Sequence, residues 1–508
     1  MIYAMITATK RLLQEIDALA ARRKEEILNS KDALKIEGTT YYVSNDGDDA
    51  NDGLSPEKAW KTLERVSDAR LCEGDGVLFR RGDLFRGRVL TQEGVSYGAF
   101  GEGEKPKIYA WDEDLADPEL WELADAEHHI WKYKKKILDA GTLVFNDGER
   151  HSYKHIPSYL GGRFVCRDTP DVPFVMSEQM TGDLDIYWHY EDTFNTKPSN
   201  GEDFPIPEVE NTYGDLYLRC NAGNPGGTFR TIEATPRRVI FSVNKNHNVK
   251  IDNICMKYAG IHAVAAGWGG VKLKGLHVTN CEIGWVGGTI QGYQGTDPNY
   301  PEGGRGTVTR YGNGVEIYGG CDDYEVSNCY VYEMYDAGLT HQVSTFGKTV
   351  EMENVRYFDN LIEKCVYSIE YFLDINDNGD GRKSFMNNIE MKGNILRQSG
   401  YGWGQQRHNK HTPAHIKGWS YVNTASNYKI HDNIFDRAAF RMLHLVAEKA
   451  ESMPKMYNNT YIQYAGNMIG SYGANECGEP DVLRFDENAD ATIANVLRDK
   501  DAKIYVIK

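Results

Sequence analysis

The chain has no run of about 18 apolar residues, the length a membrane-spanning helix requires. It is also short of positive charge: 57 lysines and arginines stand against 74 acids, for a net charge of −17. That balance argues against nucleic acid as the main partner, because binding a phosphate backbone needs clustered positive charge. It counts mildly against a polyanionic substrate too, since only a local basic groove would offset it. The nine cysteines are odd in number and show no CxxC pairing, so neither a zinc site nor a disulfide framework is indicated. Cys255, Cys281, Cys329 and Cys365 fall in strand-like segments and read as small buried apolar residues. The opening MIYAMITATKRLLQEIDALAARRKEEIL has no apolar stretch followed by a small-residue cleavage site, so it does not read as a signal peptide. Together with reduced cysteines, this makes a cytoplasmic location the expectation.

What is present is a large apolar fraction, 41%, enough for a sizeable core. A length of 508 residues would ordinarily suggest three domains, but a solenoid escapes that prior. Leu12, Leu13, Ile16, Leu19, Ala20 and Ile27 recur at helical spacing within residues 6–29. That amphipathic helix is expected to cover the first open coil of the solenoid, where a bare sheet edge would invite aggregation. From about Val239 a short unit repeats, an apolar alternation followed by asparagine and another apolar pair. It reads Asp252-Asn253-Ile254, Thr279-Asn280-Cys281, Ser327-Asn328-Cys329, Asp359-Asn360-Leu361, Gly393-Asn394-Ile395, Asp432-Asn433-Ile434 and Asn458-Asn459-Thr460. The shortest spacings, 26 and 27 residues, suit one undecorated coil. Asparagine tolerates the left-handed backbone of a sharp bend, and stacked asparagines can hydrogen-bond along an axis.

The segment before the repeat carries a resemblance. Tyr41-Tyr42-Val43-Ser44, the Gly/Asn/Asp loop to Gly53, Pro56, Trp60-Lys61-Thr62-Leu63, Gly74-Asp75-Gly76-Val77 and Arg81-Gly82 resemble the opening of bacterial carbohydrate-active right-handed β-helix proteins, the pectate-lyase-like superfamily that includes β-helix glycoside hydrolases. The resemblance implies that this stretch forms the first coil and its cap. The expected fold is all-β: a right-handed parallel β-helix with an N-terminal capping helix and an inserted antiparallel β subdomain. The expected divisions are a helical cap at 1–37, first coils at 38–109, an antiparallel insert at 110–238, the main solenoid with its catalytic face at 239–475 and a C-terminal cap at 476–508. The resemblance also implies that the insert shapes one wall of a cleft. The Gly- and Pro-rich stretch 287–310 is expected to overhang the site, which would suit exo-action on oligosaccharides.

Aligning the inward apolar residue of successive coils gives Ile261, Val315, Leu339, Ile369 and Trp403. The next residue of each points outward, because strand side chains alternate faces: His262, Glu316, Thr340, Glu370 and Gly404. Glu316 and Glu370 then stand two coils apart, ~9.6 Å, with Asp336 at the corner leading into the coil between them. A pair of carboxyl groups is what glycoside hydrolysis requires, and like charges so close raise one pKa. Asp336 and Glu370 are therefore expected as the working pair, with Glu316 as third acid or substitute. His341, Gln342, Tyr401, Trp403, Gln406, Arg407 and His408 are expected to bind the sugar, and His415 and His444 to line the far end of the cleft. The loop Asp374–Gly381 matches the first half of an EF-hand, but Phe385 stands where the bidentate glutamate belongs. It reads as a tight acidic turn rather than a calcium site, and no metal or cofactor is expected. Two other readings stay open. Lys364, Arg397, Arg407 and His341 keep a polysaccharide lyase possible, and the fold also hosts proteins that only bind.

Overall fold

The computed structural model describes the chain apart from residues 1–5, 32–33, 161–162, 167–168, 190–212, 268–270, 295–306, 344–348, 374–383, 408–412, 419–423, 478–481 and scattered positions between 487 and 500. Three long sheets run the length of the molecule, two of 11 strands and one of 10, with strands parallel except for Val482–Arg484 at the end of the third. Each coil visits the third sheet, then the second, then the first. Val264–Ala266, His277–Thr279 and Glu282–Val286 make up one such turn. The architecture is a right-handed parallel β-helix. Its interior is a stack of apolar side chains in register. On the third sheet Phe241, Val264, Val315, Leu339, Ile369, Ile416 and Leu443 align strand over strand, all of them buried.

The bend into the first sheet explains the repeated asparagines, with one correction. Asn253, Asn280 and Asn328 hold positive φ angles of 58°, 53° and 51°. In the following coils the residue before the asparagine takes that role: Asp359, Gly393, Asp432 and Asn458. The repeat thus slips by one residue, and the same letter serves two positions. Asn360, Asn394, Asn433 and Asn459 point inward and form a ladder. Asn360 Nδ2 donates to Asn394 Oδ1 at 3.0 Å, Asn394 to Asn433 at 2.9 Å and Asn433 to Asn459 at 3.1 Å. The ladder ends where Asn459 donates to Asp499 at 2.8 Å. Cys329 and Cys281 extend it toward the early coils, the Cys329 N–H donating to Asn360 Oδ1 at 2.9 Å.

The helix, Lys10–Leu28, opens on a Thr9 cap whose hydroxyl accepts from the Leu12 N–H at 3.1 Å. It does not cover the first coil. It lies lengthwise on the first sheet, where Ala20 and Ile27 pack on Tyr330, Leu361 and Ile395. An amphipathic stripe needs an apolar surface, and here the outward face of that sheet supplies one. A helix of 19 residues spans ~28 Å, or about six coils at ~4.8 Å. The strand before it, Ile6–Thr7, pairs with Lys503–Ile507 at the C-terminal end of the solenoid. Its far end meets the early coils, where Arg81 donates to the Ser30 carbonyl at 3.0 Å and Lys31 bonds Glu102 at 2.5 Å.

Between Lys107–Tyr109 and Phe241–Asn244 the chain leaves the solenoid and forms mostly antiparallel sheets, Tyr153–His155 pairing parallel with Asp185–His189, around their own core of Trp121, Tyr133, Leu143, Ile186 and Leu216. The acidic loop near Gly53 uses its carboxylates as turn caps: Asp49 accepts from the Lys61 and Thr62 N–H groups at 2.8 and 3.0 Å. Among the described residues, no group of His, Cys, Asp and Glu could hold a metal ion. The Asp374–Gly381 loop lies outside the described residues.

Candidate active site

The third sheet carries the chemistry on its outer face. Strand register places Ala265, Glu316, Thr340, Glu370, Lys417, His444 and Ser471 in one row along the solenoid. The middle of this row is as the sequence pattern predicts, with Glu316 and Glu370 flanking Thr340. Its ends are not. Ala265 and Lys417 replace His262 and Gly404, because Val264 and Ile416, rather than Ile261 and Trp403, are the inward residues of those coils. Corner segments of unequal length defeat an alignment that assumes equal steps.

Glu316, Asp336 and Glu370 are all buried, at 2%, 4% and 5% exposure, and each has different company. Glu316 is surrounded by neutral donors. Asn313 Nδ2 donates to it at 2.6 Å, the Thr340 hydroxyl donates to the same oxygen, and Gln342 Nε2 donates at 3.3 Å. Asn313 is itself fixed: its N–H donates to His262 Nδ1 at 3.0 Å and its Oδ1 accepts from the Ala337 N–H at 2.8 Å. Asp336 forms an ion pair with Arg407. Glu370 pairs with Lys417 at 3.1 Å, and the Lys417 ammonium also sits 4.0 Å above the Tyr367 ring.

Burial pushes the Glu316 carboxyl up to about 7; the three hydrogen bonds oppose this and the negative charge of Glu370 adds to it. Burial likewise pushes Asp336 up to about 6, opposed by Arg407 and reinforced by Glu370. Glu370 therefore acts electrostatically on both other acids, which form one cluster.

Of the residues expected to bind sugar, Gln342 and Arg407 lie at this cluster. His341 does not. It points into the solenoid interior, where Nδ1 meets the Tyr357 hydroxyl at 3.0 Å and Nε2 the Tyr428 hydroxyl at 3.2 Å, and burial holds its pKa down near 3. Strand alternation requires this, since Thr340 and Gln342 on either side face out. Trp403 is buried against Tyr335 and Trp285, its indole N–H donating to the Glu333 carbonyl at 2.7 Å. Gln406 is buried at the seam with the insert, donating to the Ser152 carbonyl at 2.6 Å. Tyr401 is 46% exposed, and its charged and titratable neighbours are Tyr464 and Arg437 rather than the acids. His408 lies outside the described residues. His415 is interior, against Phe435, whereas His444 does lie on the outward row, accepting from Arg441 Nη1 at 2.9 Å. Sequence reasoning missed Asn313 and Lys417. The alternation Ala414-His415-Ile416-Lys417 carries the Lys417 signal once Ile416 is taken as the inward residue.

No family model matches the chain. A segment of 121 residues, 22% of the chain, is 31% identical to lacto-N-biosidase from Bifidobacterium longum subsp. longum, and the match spans 7% of that protein's length. Among solved structures, a complex of XylC with xylose aligns with 84% of this chain and 66% of its own, at 11% identity and a TM-score of 0.42. GH136 lacto-N-biosidase from Eubacterium ramulus aligns with 98% of this chain and 71% of its own, at 12% identity and a TM-score of 0.40. The chain is similar to carbohydrate-active parallel β-helix proteins. At these identities and TM-scores the likenesses carry no argument about the site, and the strand register above defines the fold independently.

Proposed function

We propose that the protein is a glycoside hydrolase whose Glu316, Asp336 and Glu370 cleave a glycosidic bond in an oligosaccharide. The observation that carries this reading is the unequal company of three buried carboxyls: two face a cation and one faces only neutral donors. Hydrolysis needs one carboxyl that keeps its proton at working pH and another that stays ionised. Glu316, raised to about 7 by burial, is the proton donor to the leaving oxygen. Glu370, held by Lys417, is the ionised partner, and Asp336, held by Arg407, supports the same side. Glu316 thereby moves from third acid to a working role.

Glu316 and Glu370 stand two strands apart in the stack, ~9.6 Å before side-chain flexing. That lies near the wide end of the about 6.5–9.5 Å separation of inverting enzymes, which leaves room for a water molecule. In this scheme the bond from the anomeric carbon to the leaving oxygen breaks, and the leaving oxygen takes the Glu316 proton. Water adds to the anomeric carbon and gives its proton to Glu370. Gln342 Oε1 is buried without a hydrogen-bond partner among the described residues and is available to accept from a sugar hydroxyl beside Glu316. Elimination at a uronate would need a free base and a free cation, and the engagement of Lys417 and Arg407 by carboxylates favours hydrolysis over it.

The test is incubation with a panel of plant and microbial oligosaccharides that includes lacto-N-biosides, following both reducing sugar and the ultraviolet absorbance of an unsaturated uronate. Sugar release without absorbance supports the proposal. Absorbance would assign a lyase instead, and silence across the panel a binding protein.

A further inference from the structure

The residues Trp403–Gln406 form a single 3-10 turn, and the next residue is Arg407. The solenoid holds this turn from one side. The Trp403 N–H donates to Glu333 Oε2 at 3.0 Å, its indole N–H donates to the Glu333 carbonyl at 2.7 Å, and its ring packs 5.0 Å from Tyr335. The insert holds it from the other. Gln406 Nε2 donates to the Ser152 carbonyl at 2.6 Å, and Gln406 Oε1 accepts from the Lys154 N–H at 3.2 Å. Both amide atoms of one buried glutamine thus read two backbone groups that lie more than 250 positions away in sequence. The insert strand that receives them is itself anchored, because Lys154 Nζ pairs with Asp139, whose other oxygen accepts from the Ile290 N–H at 2.7 Å.

We propose that Gln406 is a positioning residue: by clamping this turn to the insert it fixes the Arg407 guanidinium against Asp336, so that the inserted subdomain sets the charge of an acid on the solenoid. The inference rests on the reading of Asp336 as part of the reacting cluster, but the clamp itself is geometric. Beyond Asp336, the Arg407 guanidinium lies 5.9 Å from the centroid of the Tyr367 ring, a contact that does not fix its direction. Arg407 is the first residue after the turn, its N–H closes on the Gly404 carbonyl at 2.9 Å, and its Nε has no hydrogen-bond partner among the described residues. A guanidinium on so long a side chain keeps one rotamer only if its backbone is held. The charges that face Asp336 are Arg407 from this turn, Glu370 from the strand Tyr367–Leu373 and Lys417 from the strand Ala414–Gly418. Of these, only Arg407 comes from outside the third sheet, and only its placement depends on the insert.

The measurement is a 13C titration of the Asp336 carboxyl in aspartate-labelled protein, the signal being assigned with Asp336→Asn. It needs no substrate, so it stands whether or not the chain hydrolyses glycosides. Gln406→Met keeps the length and packing of the side chain and deletes the hydrogen bonds of its amide, including the 3.3 Å contact of Nε2 with His151 Nδ1. Its Asp336 midpoint is expected to rise by roughly one pH unit, the scale of a lost arginine partner. Arg407→Gln is expected to raise it at least as far, and adding Gln406→Met to Arg407→Gln to raise it no further. If hydrolysis is found, the acidic limb of its pH profile moves with the midpoint. An Asp336 midpoint unchanged in Gln406→Met, with only Tm lowered, would overturn the proposal and leave Gln406 a packing residue. Should that variant not fold, Trp403→Phe loosens the same turn from the other side; an unchanged midpoint there is equally fatal.

Discussion

Two rows of side chains run along this solenoid, and they are built on opposite rules. The inward corner row repeats itself: Asn360, Asn394, Asn433 and Asn459 do the same thing on successive coils, each amide donating to the next. The outward row of the third sheet changes from each coil to the next: glutamate, threonine, glutamate, lysine and histidine stand in the same register. The backbone offers both rows the same spacing. Repetition lets a polar ladder satisfy itself inside a core, where an unpaired amide is costly. Variation at the same spacing places unlike groups within electrostatic reach, so that one carboxyl is neutralised by burial while its neighbours are held by cations.

The sharpest way to test this contrast is to neutralise the outward acids. Glu316→Gln and Glu370→Gln should each cut kcat by about 10²–10⁴-fold, the usual contribution of a positioned acid or base, read as initial rates on whichever oligosaccharide the panel yields. The ladder should respond in stability instead. Asn394→Leu strands the buried groups of Asn360 and Asn433 and should cost about 2–3 kcal/mol, seen as a lower Tm; Ser471→Ala on the outward row should move Tm little. Glu316→Gln has a second, opposite signature. The folded-state pKa of Glu316, about 7, lies above the ~4.3 of an unfolded glutamate. Its protonated form therefore favours folding, fully below pH ~4.3, and that advantage is lost as pH rises through 7. Glu316→Gln should thus be more stable than the parent at pH 8, by up to about 3 kcal/mol, and no more stable at pH 4. Activity should form a narrow bell, rising as Asp336 ionises near 6 and falling as Glu316 loses its proton near 7. The smallest effect belongs to Tyr401→Ala, which removes an exposed ring with no contact to the acids and should leave kcat/KM within about two-fold. A large loss there would extend the outward row's chemistry to a part of the surface the contrast assigns none.

Much of this was open to reading from the sequence, and the failures have a common physical origin. Glu316, Thr340 and Glu370 were placed correctly because their strands carry a clean inward and outward alternation around Val315, Leu339 and Ile369. The asparagine repeat identified the bend, but it could not reveal that an αL residue and a ladder residue share one letter; only the hydrogen bonds of Asn360 and its successors separate them. Trp403 and Gln406 have the composition of a sugar site, yet Trp403 packs on Tyr335 and Trp285 of the solenoid, and Gln406 faces the insert, a contact made across more than 250 residues of chain. His341 looked available because it lies between two site residues, and for that very reason it points the other way. The helix was expected at an open end because exposed edges need covering, whereas the apolar outward residues Tyr330, Leu361 and Ile395 drew it to the side.

That helix has a consequence for the way the molecule comes into being. Among the described residues, its leading strand, Ile6–Thr7, has its only sheet partner in Lys503–Ile507, so this segment cannot finish docking until a strand far along the chain has folded. Solenoids in general can be assembled, and lost, one coil at a time. Here the strap is bound to both ends, and fraying at either would loosen it from the whole flank. Release of the helix is therefore a natural reporter of incomplete assembly: a chain cut short before Lys503 would leave Ile6–Thr7 without its sheet partner, and the greasy stripe of Ile16, Ala20 and Ile27 would peel more readily from the flank, open to proteases and chaperones in a way the finished molecule is not.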